Sequence, residues 1–133
     1  MIDAMVLQPA VHHGVGGVVL LVLAIAAGWA GYAAVRKQPL SRGMRWILIA
    51  AQVVLMVQAL LGIKLLDQNL GAMQLYIHYV GGLSPLLFYM LLYWFPSRDE
   101  IRQTRWTALA TGMGFLFAVM AFTIGGAYAQ GNL

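Results

Sequence analysis

Cysteine is absent from the 133 residues, which excludes disulfides, thiolate metal centres, iron–sulfur clusters and covalently attached c-type haem. Charge is scarce as well. Only 9% of residues are charged, where a soluble domain averages about 25%, and Asp and Glu together number 4. None of those carboxylates falls inside a long apolar run, which disfavours a proton-relay pump or cation carrier built from this chain alone. No carboxylate pair, cysteine nucleophile or glycine-rich phosphate loop is present, so no catalysis by the single chain is expected. There is no low-complexity tail and no internal repeat, and the length suits one domain, residues 1–133.

What remains is apolar: 62% of residues are hydrophobic and the mean hydropathy is +0.79. Four runs carry most of it, at 11–35, 46–66, 72–95 and 106–128. Each reaches the roughly 20 residues that cross a bilayer core of about 30 Å. None shows sustained period-2 alternation, and in hydrocarbon a backbone must bond to itself, so the runs read as helices. The expected fold is all-α, an integral membrane four-helix bundle. The link from Asp67 to Gly71 is short enough to make the second and third helices antiparallel neighbours.

The net charge of +4 and pI near 9.8 reflect topology. Arg36, Lys37, Arg42 and Arg45 fall between the first two runs, and Arg98, Arg102 and Arg105 between the last two. With Lys64 alone near the opposite side, the positive-inside rule puts both basic segments in the cytoplasm and both termini outside. Trp29, Trp46, Trp94 and Trp106 cluster toward the same inner interface. Asp3, with no early Lys or Arg, argues for a first helix that is retained and not cleaved as a signal. No aromatic–basic platform for nucleic acid is present. The expected setting is a bacterial cytoplasmic membrane, with lipid as the immediate neighbour.

Polar residues within the runs are candidates for function, because burying them unpaired in lipid is expensive. His78 lies near the outer start of the third run, roughly 9 Å in at the helical rise. His12 and His13 lie in the opening turns of the first, behind Pro9, which suits a first helical turn. One of that pair can face His78 across the bundle, and only one, since adjacent residues stand about 100° apart on a helix. Two imidazoles on facing helices suit axial ligation of a b-type haem; the alternative is ordinary hydrogen bonding of neutral histidine to Gln74, a tyrosine or interfacial water. Gln74, His78, Gly81, Gly82 and Pro85 form one small, polar stripe, with a bend expected near Gly81 and Gly82, where Pro85 removes a donor. That stripe leaves room for a flat ligand or another helix. Gln52 and Gln58 point to different faces and read as interhelical hydrogen bonds. Lys64 and Asp67 are spaced for a local ion pair. Ala24 with Gly28, Ala27 with Gly31, Ala108 with Gly112, Ala110 with Gly114, and Ala121 with Gly125 offer close helix contact, within the bundle or with a partner.

His12-His13-Gly14, then Gln58-Ala59-Leu60-Leu61-Gly62, then His78, resemble in order, orientation and separation one four-helix half of haem A synthase, over about the first 95 residues. Half-size relatives of that family exist. The resemblance implies haem binding by His78 opposite His12 or His13. That family's catalytic half carries a glutamate three residues before its first histidine and an arginine directly after it. Here Pro9 or Ala10 and His13 or Gly14 stand there, so the resemblance implies haem binding without haem A synthesis.

By role, a small span-only chain with short loops resembles accessory subunits of respiratory or photosynthetic electron-transfer complexes, such as alternative complex III and the haem–copper oxidases. The expected function is therefore a non-catalytic accessory subunit packed against larger membrane subunits, with haem or quinone binding as the alternative. The topology is tested by a thiol introduced at Gln38, in a chain with no native cysteine. It is expected to resist impermeant reagents in intact cells and to label once the membrane is opened; labelling from outside reverses the orientation.

Overall fold

The computed structural model describes residues 6–70 and 76–131. Four helices occupy them: α1 Pro9–Val35, α2 Arg42–Asp67, α3 Tyr76–Trp94 and α4 Glu100–Ala129. α1, α2 and α4 are each long and apolar enough to cross a membrane. α3, with 19 described residues, is shorter, and its histidine, glycines, proline and tyrosines dilute it. The expected start of the third helix at 72, and Gln74 with it, lies outside the described residues, as does Asp3.

Two helices begin a turn or more before the apolar runs suggested. The hydroxyl of Ser41 accepts the amide of Met44 at 3.2 Å, which starts α2 at Arg42 and not at Trp46. The carboxylate of Asp99 accepts the amides of Ile101 and Arg102 at 2.9 and 3.2 Å, which starts α4 at Glu100 and not at Trp106. Hydropathy marks where apolar surroundings begin, whereas a helix begins where its first amides find an acceptor. Arg42, Arg45, Arg102 and Arg105 are therefore helical residues and not loop residues. Lys37 and Asn69 close α1 and α2 in the left-handed region, at φ 52° and 59°. The amides of Gln38 and Leu70 turn back to the carbonyls of Ala33 and Leu65, both at 2.9 Å, as in a Schellman closure.

The helices form a ring in which each packs on its chain neighbours and α4 closes on α1; the diagonal pairs do not meet. Seven basic residues gather at the end where α1 and α3 finish, called here the basic end, and all three histidines gather at the opposite one. Buried positions recur at alternating three- and four-residue steps: Gly16, Val19, Leu23, Ala26, Ala30 and Ala33 on α1, and Thr104, Thr107, Thr111, Gly114, Ala118 and Ala121 on α4. This is the 3.5-residue period of left-handed bundle packing. The threonines bury hydroxyls without leaving them unpaired, each bonding a carbonyl of its own helix at 2.8–3.0 Å.

Small side chains let α4 approach α3 and α1 closely, and those two interfaces are the tightest; α2 against α3, the pair joined by the short link, is the loosest. Gly81 and Pro85 of α3 are buried against α4 and α3 runs unbroken through Pro85, so that part of the stripe expected to seat a flat ligand or a foreign helix is spent on α4, while His78 and Gly82 line a cavity. The same correction applies to Ala121 and Gly125, which face α3 rather than a partner. Gly28 and Gly112, by contrast, have no neighbouring group within 4 Å of where a Cβ would stand. Tyr89, fully buried, fills the centre with Leu23, Ala51, Leu55 and Ala118.

A Cβ on Gly81 would meet the Phe117 carbonyl oxygen at 2.9 Å and the Ala121 Cβ at 3.0 Å. Gly81→Ala is expected to push α3 from α4 and cost about 1–3 kcal/mol, read as a lowered melting temperature in detergent. Gly112→Ala, at an open position, is expected to leave it unchanged or raise it.

Candidate functional site

At the histidine end the ring encloses a cavity of about 300 Å³ whose polar lining includes His12, Gln58 and His78. Its floor is Val19, Leu55 and Ala118, the same residues that pack over Tyr89. His12 comes from the first turns of α1 and His78 from those of α3, diagonal helices whose backbones do not pack together. Their ring centres are 6.2 Å apart and the planes are inclined by 63°.

Hydrogen bonding sets the proton positions. His78 Nδ1 lies 2.9 Å from the carbonyl oxygen of Ala121; a carbonyl only accepts, so Nδ1 carries the proton and Nε2 presents a lone pair. A Cβ on Gly125 would stand 2.8 Å from His78 Cε1, and only glycine there lets the ring reach that carbonyl. On the other side, the Gln58 amide nitrogen donates to the His12 carbonyl at 3.1 Å and lies 3.2 Å from His12 Nε2. The first bond fixes the amide nitrogen as a donor, so Nε2 accepts and the His12 proton sits on Nδ1. That Nδ1 and Gln58 Oε1 are buried without a hydrogen-bond partner. His12 Nδ1, a donor, and Gln58 Oε1, an acceptor, thus lie unmatched beside the cavity, and His78 keeps a free acceptor in Nε2. A buried polar group left unmatched costs about 1–3 kcal/mol, so this end of the bundle carries a local polar cost.

His12, not His13, faces His78. The 100° step to His13 carries it to the rim, exposed and stacked on Phe122 with ring centres 4.4 Å apart. His13 still lines the cavity, at its edge. Gln58, expected to bond between helices, does so, and its partner is the histidine itself. Gln52 turns the other way and donates to the Tyr93 hydroxyl at 2.8 Å, joining α2 to α3. Lys64 and Asp67 pair at 2.8 Å. Gln68, at the end of α2, grips the backbone of Leu7 with both amide atoms, at 2.8 and 3.1 Å, and so ties the segment before α1 to the same end of the bundle.

Sequence reasoning named Gly62, Gly82 and Gly125 separately but did not bring them together as one wall. Gly16, Gly62, Gly82 and Gly125, one from each helix, all line it. On three helices the glycine follows a polar residue of the site by four: His12 and Gly16, Gln58 and Gly62, His78 and Gly82. A polar residue with glycine one turn on shares a face with it, and that repeated spacing was the available signal. Nothing in the sequence announced the Ala121 carbonyl, a backbone group.

Among the described residues no group of three or more His, Cys, Asp or Glu could hold a metal ion. No family model matches the chain, and neither the characterised proteins nor the solved structures compared with it include a match.

Replacing Gln58 with Leu removes both bonds to His12. The expected loss is about 1–2 kcal/mol, the scale of interhelical hydrogen bonds in membranes, seen as a lower melting temperature in detergent. Gln52→Leu, which breaks one interhelical bond nearer the basic end, is expected to cost less.

Proposed function

We propose that all four helices cross a membrane, with the basic end in the cytoplasm and both termini outside, and that the chain holds a b-type haem between α1 and α3. The observation that carries this reading is the pair of imidazoles with ring centres 6.2 Å apart. Two imidazoles on opposite sides of one metal, each bonded at about 2 Å, have ring centres roughly 6 Å apart. Two histidines are too few for a bare metal centre of tetrahedral type, whereas a haem brings its own equatorial donors and asks the protein only for axial ones.

The residues present fit the group. The Ala121 carbonyl holds His78 in the tautomer and orientation that present Nε2, the usual role of such a carbonyl behind a histidine ligand. His12 supplies a second imidazole from the facing helix, and glycines at 62 and 125 make room for the two rings. Gln58 occupies Nε2 of His12, so ligation through that atom requires the amide to release it while keeping its bond to the His12 carbonyl. A b-type haem held there would supply reversible one-electron transfer.

A second reading, an accessory subunit of a respiratory or photosynthetic electron-transfer complex, draws support from Gly28 and Gly112. Both leave bare backbone on the outside of the ring, where a partner helix packs closely. The two readings are compatible, since a haem-bearing subunit can sit in a larger complex.

The test is a reduced-minus-oxidised visible spectrum of protein purified from haem-replete cells. A b-type signal is expected, lost in His78→Ala, lost or shifted in His12→Ala, and intact in His13→Ala. A flat wild-type spectrum ends the haem reading, and a signal indifferent to His78→Ala ends the ligand assignment. Native mass spectrometry of the same gently solubilised material reads the second proposal through any redox subunits that travel with the chain.

A further inference from the structure

At the basic end, far from the histidines, the last turns of α3 and the first turns of α4 flank a groove of about 840 Å³. Phe88, Leu92 and Phe95 line one side and Trp106, Leu109 and Met113 the other, with Arg98 and Arg102 at its mouth. Both arginines are exposed, and neither is paired: the salt bridge among the described residues is the distant Lys64–Asp67 pair. Asp99 and Glu100 lie close in sequence, but neither pairs with these arginines among the described residues: Asp99 turns Oδ1 to the first amides of α4. The turn that carries Arg98 is tied to α4, which carries Arg102, because the Ser97 amide donates to Gln103 Oε1 at 2.7 Å. The positive end of the α4 dipole points the same way.

Two unpaired guanidinium groups above an apolar, aromatic trough complement a molecule with an anionic head and a hydrocarbon tail. We propose that this groove holds an anionic phospholipid, its phosphate diester on Arg98 and Arg102 and an acyl chain along Leu92, Leu109 and Met113. Guanidinium suits phosphate through paired N–H donors, and basic pockets between helices on the cytoplasmic side attract anionic headgroups. The proposal rests on the membrane placement above and not on the haem.

Purified protein in mild detergent, mixed with equal amounts of phosphatidylglycerol and phosphatidylcholine, tests it by native mass spectrometry of the retained lipid. Phosphatidylglycerol is expected to be retained over phosphatidylcholine. Arg98→Gln with Arg102→Gln is expected to lower that preference at least about fivefold. Arg105→Gln, a neighbouring charge outside the groove, is expected to leave it within about twofold. Leu109→Trp, which fills the trough and spares the arginines, is expected to reduce retention of both lipids. Equal retention of the two lipids by the wild type overturns the proposal. So does an equal loss in Arg105→Gln, indifference to Leu109→Trp, or displacement of the lipid by excess inorganic phosphate alone. Circular dichroism confirms that each variant is folded, and the wild-type preference and Leu109→Trp decide the matter if the double variant is not. A chain that washes off membranes defeats the membrane placement and this site together; an inserted chain without lipid preference defeats this site alone.

Discussion

The backbone of α4 can lie close against both α1 and α3 because the row it turns inward is threonine, glycine and alanine from Thr104 to Ala121. Much else depends on that approach. It buries Gly81 and Pro85, and it brings the Ala121 carbonyl within reach of His78. α2 turns larger residues inward, Met44, Leu48, Leu55 and Leu65, and meets α3 only loosely. Tight on the α4 side and loose on the α2–α3 side, the ring cannot close fully at the histidine end, and the cavity is what remains.

Polar groups inside the bundle follow a consistent economy. The buried threonines bond within their own helix, Gln52 finds Tyr93, and Gln58 finds His12. Of the side-chain atoms buried without a partner among the described residues, His12 Nδ1 and Gln58 Oε1 lie beside the cavity, and the Tyr89 hydroxyl lies in the apolar core beneath it. In an interior of low polarity each such group is a standing cost. Two of these three atoms stand side by side at the histidine end, which is where the proposed site lies.

The two ends of the ring differ in kind. The histidine end holds a cavity among all four helices, with polar side chains from α1, α2 and α3 in its lining. The basic end turns its arginines outward over an apolar groove on the α3–α4 side. The proposed haem and the proposed lipid therefore occupy different spaces and draw on different residues, so changes at one site leave the other's residues in place.

Helix number, order and the segregation of charge were legible in the sequence, because they depend on long runs of like residues. Composition alone sets which runs are apolar enough to shun water. That His12 or His13 would share a level with His78 was also legible, since helix rise and alternating direction convert position into depth. Helix starts were not, because Ser41 and Asp99 act through single hydrogen bonds that hydropathy does not register. The choice between His12 and His13 was not legible either, because it turns on the rotation of α1 about its axis. That angle is set by Ala26, Ala30 and Ala33 packing inward. Nor was the use of Ala121 and Gly125, which as a pair suit a partner helix as well as α3. The sequence by itself determined an apolar four-helix chain with histidines gathered at one end. Only the tertiary structure decided which imidazole faces inward, which nitrogen is free, and which small-residue faces are already taken. Those outcomes rest on contacts between helices distant in the chain, and no local pattern of residues encodes them.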